Sequence, residues 1–569
     1  MNQLRDIFFQ KWEGIKLPSY FLLIKNKFLT EDGLKVTLLP LFLVFINLVL
    51  KLRHFGAQSI AGDESFSIYI AQFDLSAIIH YLSQGNNPPL FEIILHYWIK
   101  IFGIGVASVR FLSCLFSSIT VWYVYKIGFK FFSFKAGLLA AVLFTLSNYQ
   151  MYFAHETRVY SLFLLLTCIS FYAYLNLMKK GSIQFRIIHA LTIVLLPYAH
   201  YLGFFVLFIQ LVISLLFKET RTKTLKIYVI NLMIALVCFI PFVTVFIKRL
   251  HDLTAYGTWI QPVKNLGQLH DVLKFLTNDS LTNYLIVITI IWFVIQKFFR
   301  ETISGIYVRY AFSLISIFFL FYAISIMGPM PHYWEFTARV LPMISYLLFM
   351  AVLIFLFLKT DKVSIYTKVV LIWFFFPLLI MFVSSFWVPM FIDRYLIYFT
   401  GAFYLLMGIG VCYLEEGKPL QLGLLLTMLL GITFTTNVDK KRHVTEVIEK
   451  IKEIKTNKSI VYICPDNFEI NFAYYYNQQY FKDIDEPDRK EKLYKHLASE
   501  NIYPINSYKQ IDTLIFKNAD KIIYIDAAAD FAYPGNGIKA KLDSTLSLKQ
   551  QYEVYEIYRI NEYKNKRIN

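Results

Sequence analysis

Two adjacent carboxylates, Asp63 and Glu64, stand in a long polar connection that interrupts an otherwise apolar chain. A carboxylate held near an acceptor hydroxyl can take its proton as a general base, and both residues have that capacity. A pair of solvated loop charges is the plainer alternative. Arg110 stands at the mouth of the next apolar segment. A guanidinium there can hold an anion such as a lipid phosphate through two parallel bonds, or it can snorkel to the headgroups. His155-Glu156-Thr157-Arg158 packs three ionisable groups into four residues flanked by aromatics. That group could position a sugar, a phosphate or a divalent cation, or it could close on itself as a salt-bridged turn. Asp393-Arg394-Tyr395 opens a late apolar segment and offers a second arginine for phosphate, with an interfacial anchor as the alternative. His200-Tyr201 is weaker, because a histidine at the end of a span is more often a satisfied structural residue. Charge beside a bilayer is costly unless paired or used, so these clusters are functional candidates.

The element that would position the first cluster lies just after it. Asn87 can cap a helix, Pro88 suits its first position and Gly103 can end it, so the spacing predicts a helix over 88–102. Glu92, His96 and Lys100 recur every four residues and line one face. At ~1.5 Å per residue the helix is about 22 Å long, short of a ~30 Å hydrocarbon core. It is expected to lie in the plane of the membrane surface, with a short tilted span as the alternative.

The rest of the chain is scaffold. Of 569 residues, 57% are hydrophobic and 17% charged, and apolar stretches of span length recur. Soluble globular classes are thereby excluded. The net charge of +17 resides mainly in short loops between spans, which argues against a nucleic-acid partner. Cys114, Cys168, Cys238 and Cys412 fall in apolar segments and Cys464 stands alone, so neither a zinc module nor a disulfide framework is indicated. No P-loop, GxGxxG or GxSxG motif occurs in a suitable setting. No cleavable signal peptide is read at the start, and the apolar segment near residue 35 is expected to stay as the first span.

About thirteen transmembrane helices are expected, near 35–52, 107–126, 136–151, 158–178, 187–200, 201–217, 227–247, 281–297, 310–327, 339–358, 368–387, 395–414 and 419–436. Lys and Arg concentrate in alternate short loops, such as Lys126–Lys135 and Lys218–Lys226, which should be cytoplasmic. The connection 53–106, the turn 151–158 and the tail 438–569 then share the outer face. The expected fold is an all-α polytopic membrane protein over 1–437 with a small C-terminal α/β extracytoplasmic domain over 438–569. In that domain Ser459–Cys464 and Lys521–Asp526 read as strands, as does Tyr552–Ile560. It is expected to be accessory, since its aspartates form no ordered catalytic set.

Taken in order, these residues resemble a family. Asp63-Glu64, Asn87-Pro-Pro-Leu-Phe-Glu through Gly103, Val109-Arg-Phe-Leu-Ser113, Gly137-Leu-Leu-Ala-Ala141 and Tyr152-Phe-Ala-His-Glu-Thr-Arg-Val-Tyr160 succeed one another. That succession is similar to bacterial membrane glycosyltransferases of the GT-C superfamily, relatives of protein O-mannosyltransferases and of the lipid A aminoarabinose transferase. Arg394-Tyr395-Leu396 resembles their late RYL element. Ala154-His155 departs from the serine-glutamine of many relatives, and Phe91-Glu92 from a tyrosine pair.

The resemblance implies a polyprenyl-phosphate-linked sugar as donor, membrane lipids as surroundings, and a glycan, lipid or protein as acceptor. Transfer would invert the anomeric carbon at the periplasmic side of the inner membrane. Asp63 would be the base with Glu64 second, and Arg110 and Arg394 would bind the phosphate. His155, Glu156, Arg158, Glu92, His96, His200 and Tyr201 would position sugar or acceptor. No cofactor is certain; a divalent cation, Mg or Mn, could be held beside Glu156, and its ligands stay unknown. Two alternatives stay open: a lipid-linked sugar flippase, and a ligase or polymerase of surface polysaccharide. A transporter would want ionisable groups at mid-membrane, whereas these lie at span ends.

Overall fold

A computed structural model describes residues 33–85, 87–179, 181–257, 260–264, 267–279, 363–412, 418–482, 489–555 and 558–565. Six of the described helices are long and apolar enough to cross a membrane: α1 (Leu34–Lys51), α5 (Val106–Phe131), α8 (Tyr160–Lys179), α11 (Leu225–Ala255), α13 (Ile365–Ser384) and α14 (Asp393–Cys412). Shorter apolar helices α6 (Phe134–Thr145), α9 (Ile183–Ala199), α10 (Gly203–Leu216) and α15 (Gln421–Thr433) fill other expected spans, and α12 (Gly267–Leu276) lies between α11 and α13 in the chain. The spans expected at 281–297, 310–327 and 339–358 lie outside the described residues.

The long connection after α1 is not a loop. Asp63 and Glu64 open a helix, α2 (Asp63–Ala71), followed by α3 (Leu75–Gln84) and α4 (Leu90–Phe102). Sequence reading missed α2 because seven of its nine residues are buried, so no polar face marks it. Its acidic first turn suits the positive end of a helix dipole. Asp74 caps α3 by accepting from the Ala77 amide at 2.9 Å. The start of α4 corrects the expectation: the helix begins at Leu90, and Asn87 instead accepts from Arg158 at 3.3 Å. Its end is as expected, with Gly103 at φ +74°, a conformation that favours glycine.

α5 and α6 approach closely at a glycine pair. A Cβ built on Gly128 would lie 2.4 Å from Gly137 Cα, so backbone meets backbone there. α5 also packs on α1 and α8, α6 on α14, and α8 on α9. The short helix α7 (Asn148–Ala154), capped by Ser147, carries the chain across to the 155–158 turn.

Beyond the last described apolar helix, α16 (Val444–Ile454) leads into a five-stranded sheet. Its strands are β1 (Ile460–Cys464), β2 (Ile502–Pro504), β3 (Ile522–Ala527), β4 (Leu546–Tyr555) and β5 (Tyr558–Asn565), in the order β2-β1-β3-β5-β4. β1 runs parallel to β2 and β3, while β5 is antiparallel to β3 and β4. The single last strand expected over Tyr552–Ile560 is instead divided between the end of β4 and the start of β5, which pair antiparallel. Helix α17 (Glu469–Tyr476) faces the membrane-proximal segment: Tyr474 donates to the Ile104 carbonyl at 2.7 Å, and Ser65 donates to Asn471 at 2.7 Å.

Candidate active site

Glu64 is fully buried and fully engaged. Arg110 forks onto it, Nε to Oε1 at 3.0 Å and Nη2 to Oε2 at 2.8 Å. The Thr157 amide adds a third bond to Oε1 at 2.8 Å, and Arg442 a fourth to Oε2. Burial alone would raise its pKa, but Arg110 and Arg442 outweigh that and hold the carboxyl well below its usual range. With its lone pairs committed, Glu64 is a structural carboxylate, which corrects its expected place as second base.

Arg110 is corrected for the same reason. Besides Glu64, its Nη1 donates to the carbonyls of Phe55 (2.9 Å) and Gln58 (2.8 Å), and its Nη2 to that of Ser59 (3.0 Å). All five N–H groups are used within the protein, leaving none for a phosphate. Arg110 fastens the 55–59 stretch, and with it α2, to α5.

Asp63 is different. Half of its side-chain surface is open, and it meets Arg394, itself a quarter exposed, at 2.7 Å. Burial opposes its ionisation, yet Arg158, Arg394 and Arg442 prevail and keep it below the ordinary carboxylate range. It is ionised at neutral pH and open to a substrate.

Arg158 lies beneath. Its Nη1 donates to Ser67 Oγ at 2.5 Å and to the Asp63 carbonyl at 3.3 Å, and stands 3.7 Å from Glu92. Its Nε and the neighbouring Thr157 Oγ1 are buried without a partner among the described residues. Glu92 accepts from Ser67 at 2.8 Å, and burial pushes its pKa up against the pull of Arg158. His96 bonds the Ala71 carbonyl at 2.9 Å. Glu92 and His96 therefore tie α4 to α2 instead of facing a substrate.

The 155–158 turn is held from two sides. His155 Nε2 donates to the Lys51 carbonyl at 2.7 Å, and burial pulls its pKa down to about 3, so the ring is neutral. Glu156 faces Arg442 at 2.8 Å and Lys440 at 3.9 Å. Both of its oxygens thus face cations, and among the described residues no group of three or more His, Cys, Asp or Glu is placed to hold a metal ion. The donor set does not fit Mg or Mn. His200 is partly buried, stacked on Phe163 with ring centroids 5.1 Å apart and edge-on to Tyr395 at 5.3 Å. Burial, with Arg158 and Arg394 nearby, pulls it down to about 3. Tyr201 faces Phe246, 5.3 Å away, and its hydroxyl is buried without a partner among the described residues.

Two residues had escaped sequence reading. Lys440 donates to the His155 carbonyl at 3.1 Å and sits 4.3 Å from the Tyr152 ring centre. Burial pulls its ammonium down to about 7 against the pull of Glu156. Arg442 bridges Glu64 and Glu156. The available signal was the run Lys440-Lys441-Arg442-His443 at the end of the last span on the expected outer side, whose short loops carry few Lys and Arg. The first residues of the tail thus pair with carboxylates of α2 and of the 155–158 turn.

The family model described as dolichyl-phosphate-mannose-protein mannosyltransferase matches residues 86–245. The chain resembles GT-C membrane glycosyltransferases. The matched segment holds Arg110, the 155–158 turn and His200. Among solved structures, ArnT from Cupriavidus metallidurans, in a form bound to undecaprenyl phosphate, is 12% identical at a TM-score of 0.43, covering 94% of this chain and 98% of that one. The oligosaccharyltransferase AglB from Archaeoglobus fulgidus, in complex with an inhibitory peptide and a dolichol-phosphate, is 11% identical at 0.44, covering 93% and 74%. No curated protein matches the chain.

Proposed function

We infer that the protein transfers a sugar from a polyprenyl-phosphate donor to an acceptor hydroxyl, on the face of the membrane shared by α2 and the C-terminal domain. The observation that carries this is the half-open Asp63–Arg394 pair, set in a cluster with more positive than negative charge. Asp63, Glu64, Glu92 and Glu156 stand against Arg110, Arg158, Arg394, Lys440 and Arg442. One positive charge is in excess with every group ionised; protonation of Glu92 would add one, and loss of the Lys440 proton would remove one. Such an excess suits an anion that arrives with the substrate.

The mechanism follows from the residues. Asp63 takes the acceptor's proton as its oxygen attacks the anomeric carbon. The bond from that carbon to the phosphate oxygen breaks, the configuration inverts, and the lipid leaves as its phosphate. That leaving group is intrinsically good, so no general acid is needed. Arg394, beside Asp63, stabilises the departing charge, and the Arg158 Nε–H is a second donor. Before substrate enters, Arg394 keeps Asp63 ionised; on binding, the phosphate competes for Arg394 and releases the carboxylate.

A transfer assay in proteoliposomes with a panel of polyprenyl-phosphate sugars tests the reading. Donor loss matched by free polyprenyl phosphate supports it. Movement of intact donor between leaflets with no bond cleaved would instead make the protein a flippase.

A further inference from the structure

The segment following the last apolar helix is stitched to the membrane-proximal face before it reaches the sheet. Gln58 Nε2 donates to the Val438 carbonyl at 2.7 Å, and its Oε1 accepts from the Lys440 amide at 2.7 Å. Ser59 accepts from the Thr445 amide at 3.1 Å, and Tyr475 accepts from the Ile60 amide at 2.5 Å. Between these anchors lies Arg442, with 15% of its side chain exposed. One nitrogen meets Glu64 on α2, and the other meets Glu156 in the 155–158 turn.

We propose that Arg442 is a positioning residue of the transfer site, whose guanidinium bridges Glu64 and Glu156 and so fixes the spacing of α2 and the 155–158 turn. Asp63 neighbours one end of that bridge, and Arg158 lies two residues beyond the other. Arg442 touches no reacting atom. It sets the gap across which the base and the buried arginine face the substrate, and a planar fork can span two carboxylates where a point charge cannot. The inference rests on the assignment of Asp63 as base. It makes the first residues of the extramembrane domain part of the catalytic unit, because the segment that delivers Arg442 is held to Gln58 and Ser59 beside α2.

Arg442 also has an electrostatic effect. Among the described residues, Arg158 in the turn, Arg394 on α14, Arg442 and Tyr160 act on Asp63, while Arg442 also meets the anions Glu64 and Glu156. Removing one cation lets the Asp63 pKa rise, so activity lost to protonation begins at higher pH. The acidic limb of the pH–rate profile should therefore move upward.

The test uses the full-length protein in proteoliposomes, with turnover expressed per folded molecule. Arg442→Ala should lower kcat by about 10²-fold, the scale of a misplaced catalytic group, while donor KM changes little. Its acidic limb should shift up. Arg442→Lys should restore the limb, because the charge returns, yet leave kcat below wild type, because the fork does not. Asp63→Asn is run beside them. An active Asp63→Asn removes the base assignment itself; an inactive Asp63→Asn with wild-type kcat and profile in Arg442→Ala overturns only the positioning role. A loss of folded protein with kcat and limb unchanged also overturns it. Should Arg442→Ala fail to accumulate, Arg442→Lys decides, and wild-type kcat there rejects the proposal.

Discussion

Two of the buried polar networks among the described residues are of opposite character. One links α8, α9, α10 and α11: His189 Nε2 bonds Gln210 at 3.0 Å, Asn231 bonds His189 Nδ1 at 3.0 Å, and Gln210 donates to Ser170 at 2.9 Å. Tyr174 and Ser214 share a 2.7 Å bond beside it. These side chains fit a neutral imidazole that donates at one nitrogen and accepts at the other, and the network closes on itself. The other surrounds Asp63 and Glu64. It is charged, positive in balance, and leaves Thr157 Oγ1 and Arg158 Nε without partners among the described residues. A closed neutral network holds helices together, whereas an open charged one has capacity left for a ligand.

The strongest way to break this contrast is at Asp63. Asp63→Asn keeps the shape and removes proton acceptance, so turnover should fall ~10²–10⁴-fold with donor binding almost intact. Donor binding by equilibrium dialysis and turnover in proteoliposomes read the two separately. Normal turnover would put Asp63 in the same structural class as its neighbour.

That neighbour should fail in a different way. Glu64→Gln or Arg110→Ala leaves a buried charge uncompensated, at a cost of about 3–5 kcal/mol, visible as a lower unfolding temperature in detergent. The folded-state pKa of Glu64 is depressed, so its stabilisation is complete above the unfolded value of ~4.3 and is lost as pH falls further. A stable Arg110→Ala that loses donor affinity would return Arg110 to the phosphate.

Arg394→Lys sharpens the comparison at smaller amplitude. The charge stays and the fork goes, so donor KM should rise by about tenfold with the protein as stable as before. An unchanged KM would leave the phosphate without its most open ligand. Smallest of all, Gln210→Leu in the closed network should cost only about 0.6–2 kcal/mol and leave turnover per folded molecule unchanged. A change in turnover there would show that the two networks are coupled.

Much of this was legible in the sequence because charge beside apolar spans is rare. Asp63, Arg158 and Arg394 stood out for that reason, and the structure brings them together. The helical turn that closes at Gly103 was readable from one glycine. What could not be read is how the backbone bends. The carbonyls of Phe55, Gln58 and Ser59 converge on Arg110 only through the path of their loop, so an internal clasp looked like a free guanidinium. Arg442 was hidden differently. It begins a polar tail that reads as a separate domain, and its carboxylate partners lie 378 and 286 residues away.

The backbone contact at Gly128 gives α5 a fulcrum. Arg110 is the handle on the same rod, eighteen residues away, or about 27 Å at ~1.5 Å per residue. A single methyl wedged between Gly128 and Gly137 would tilt the rod about its far end. The displacement would arrive at the clasp on Glu64 without any intervening side chain having changed. A lesion at the opposite pole of the bundle would thus be felt as slack in the catalytic apparatus.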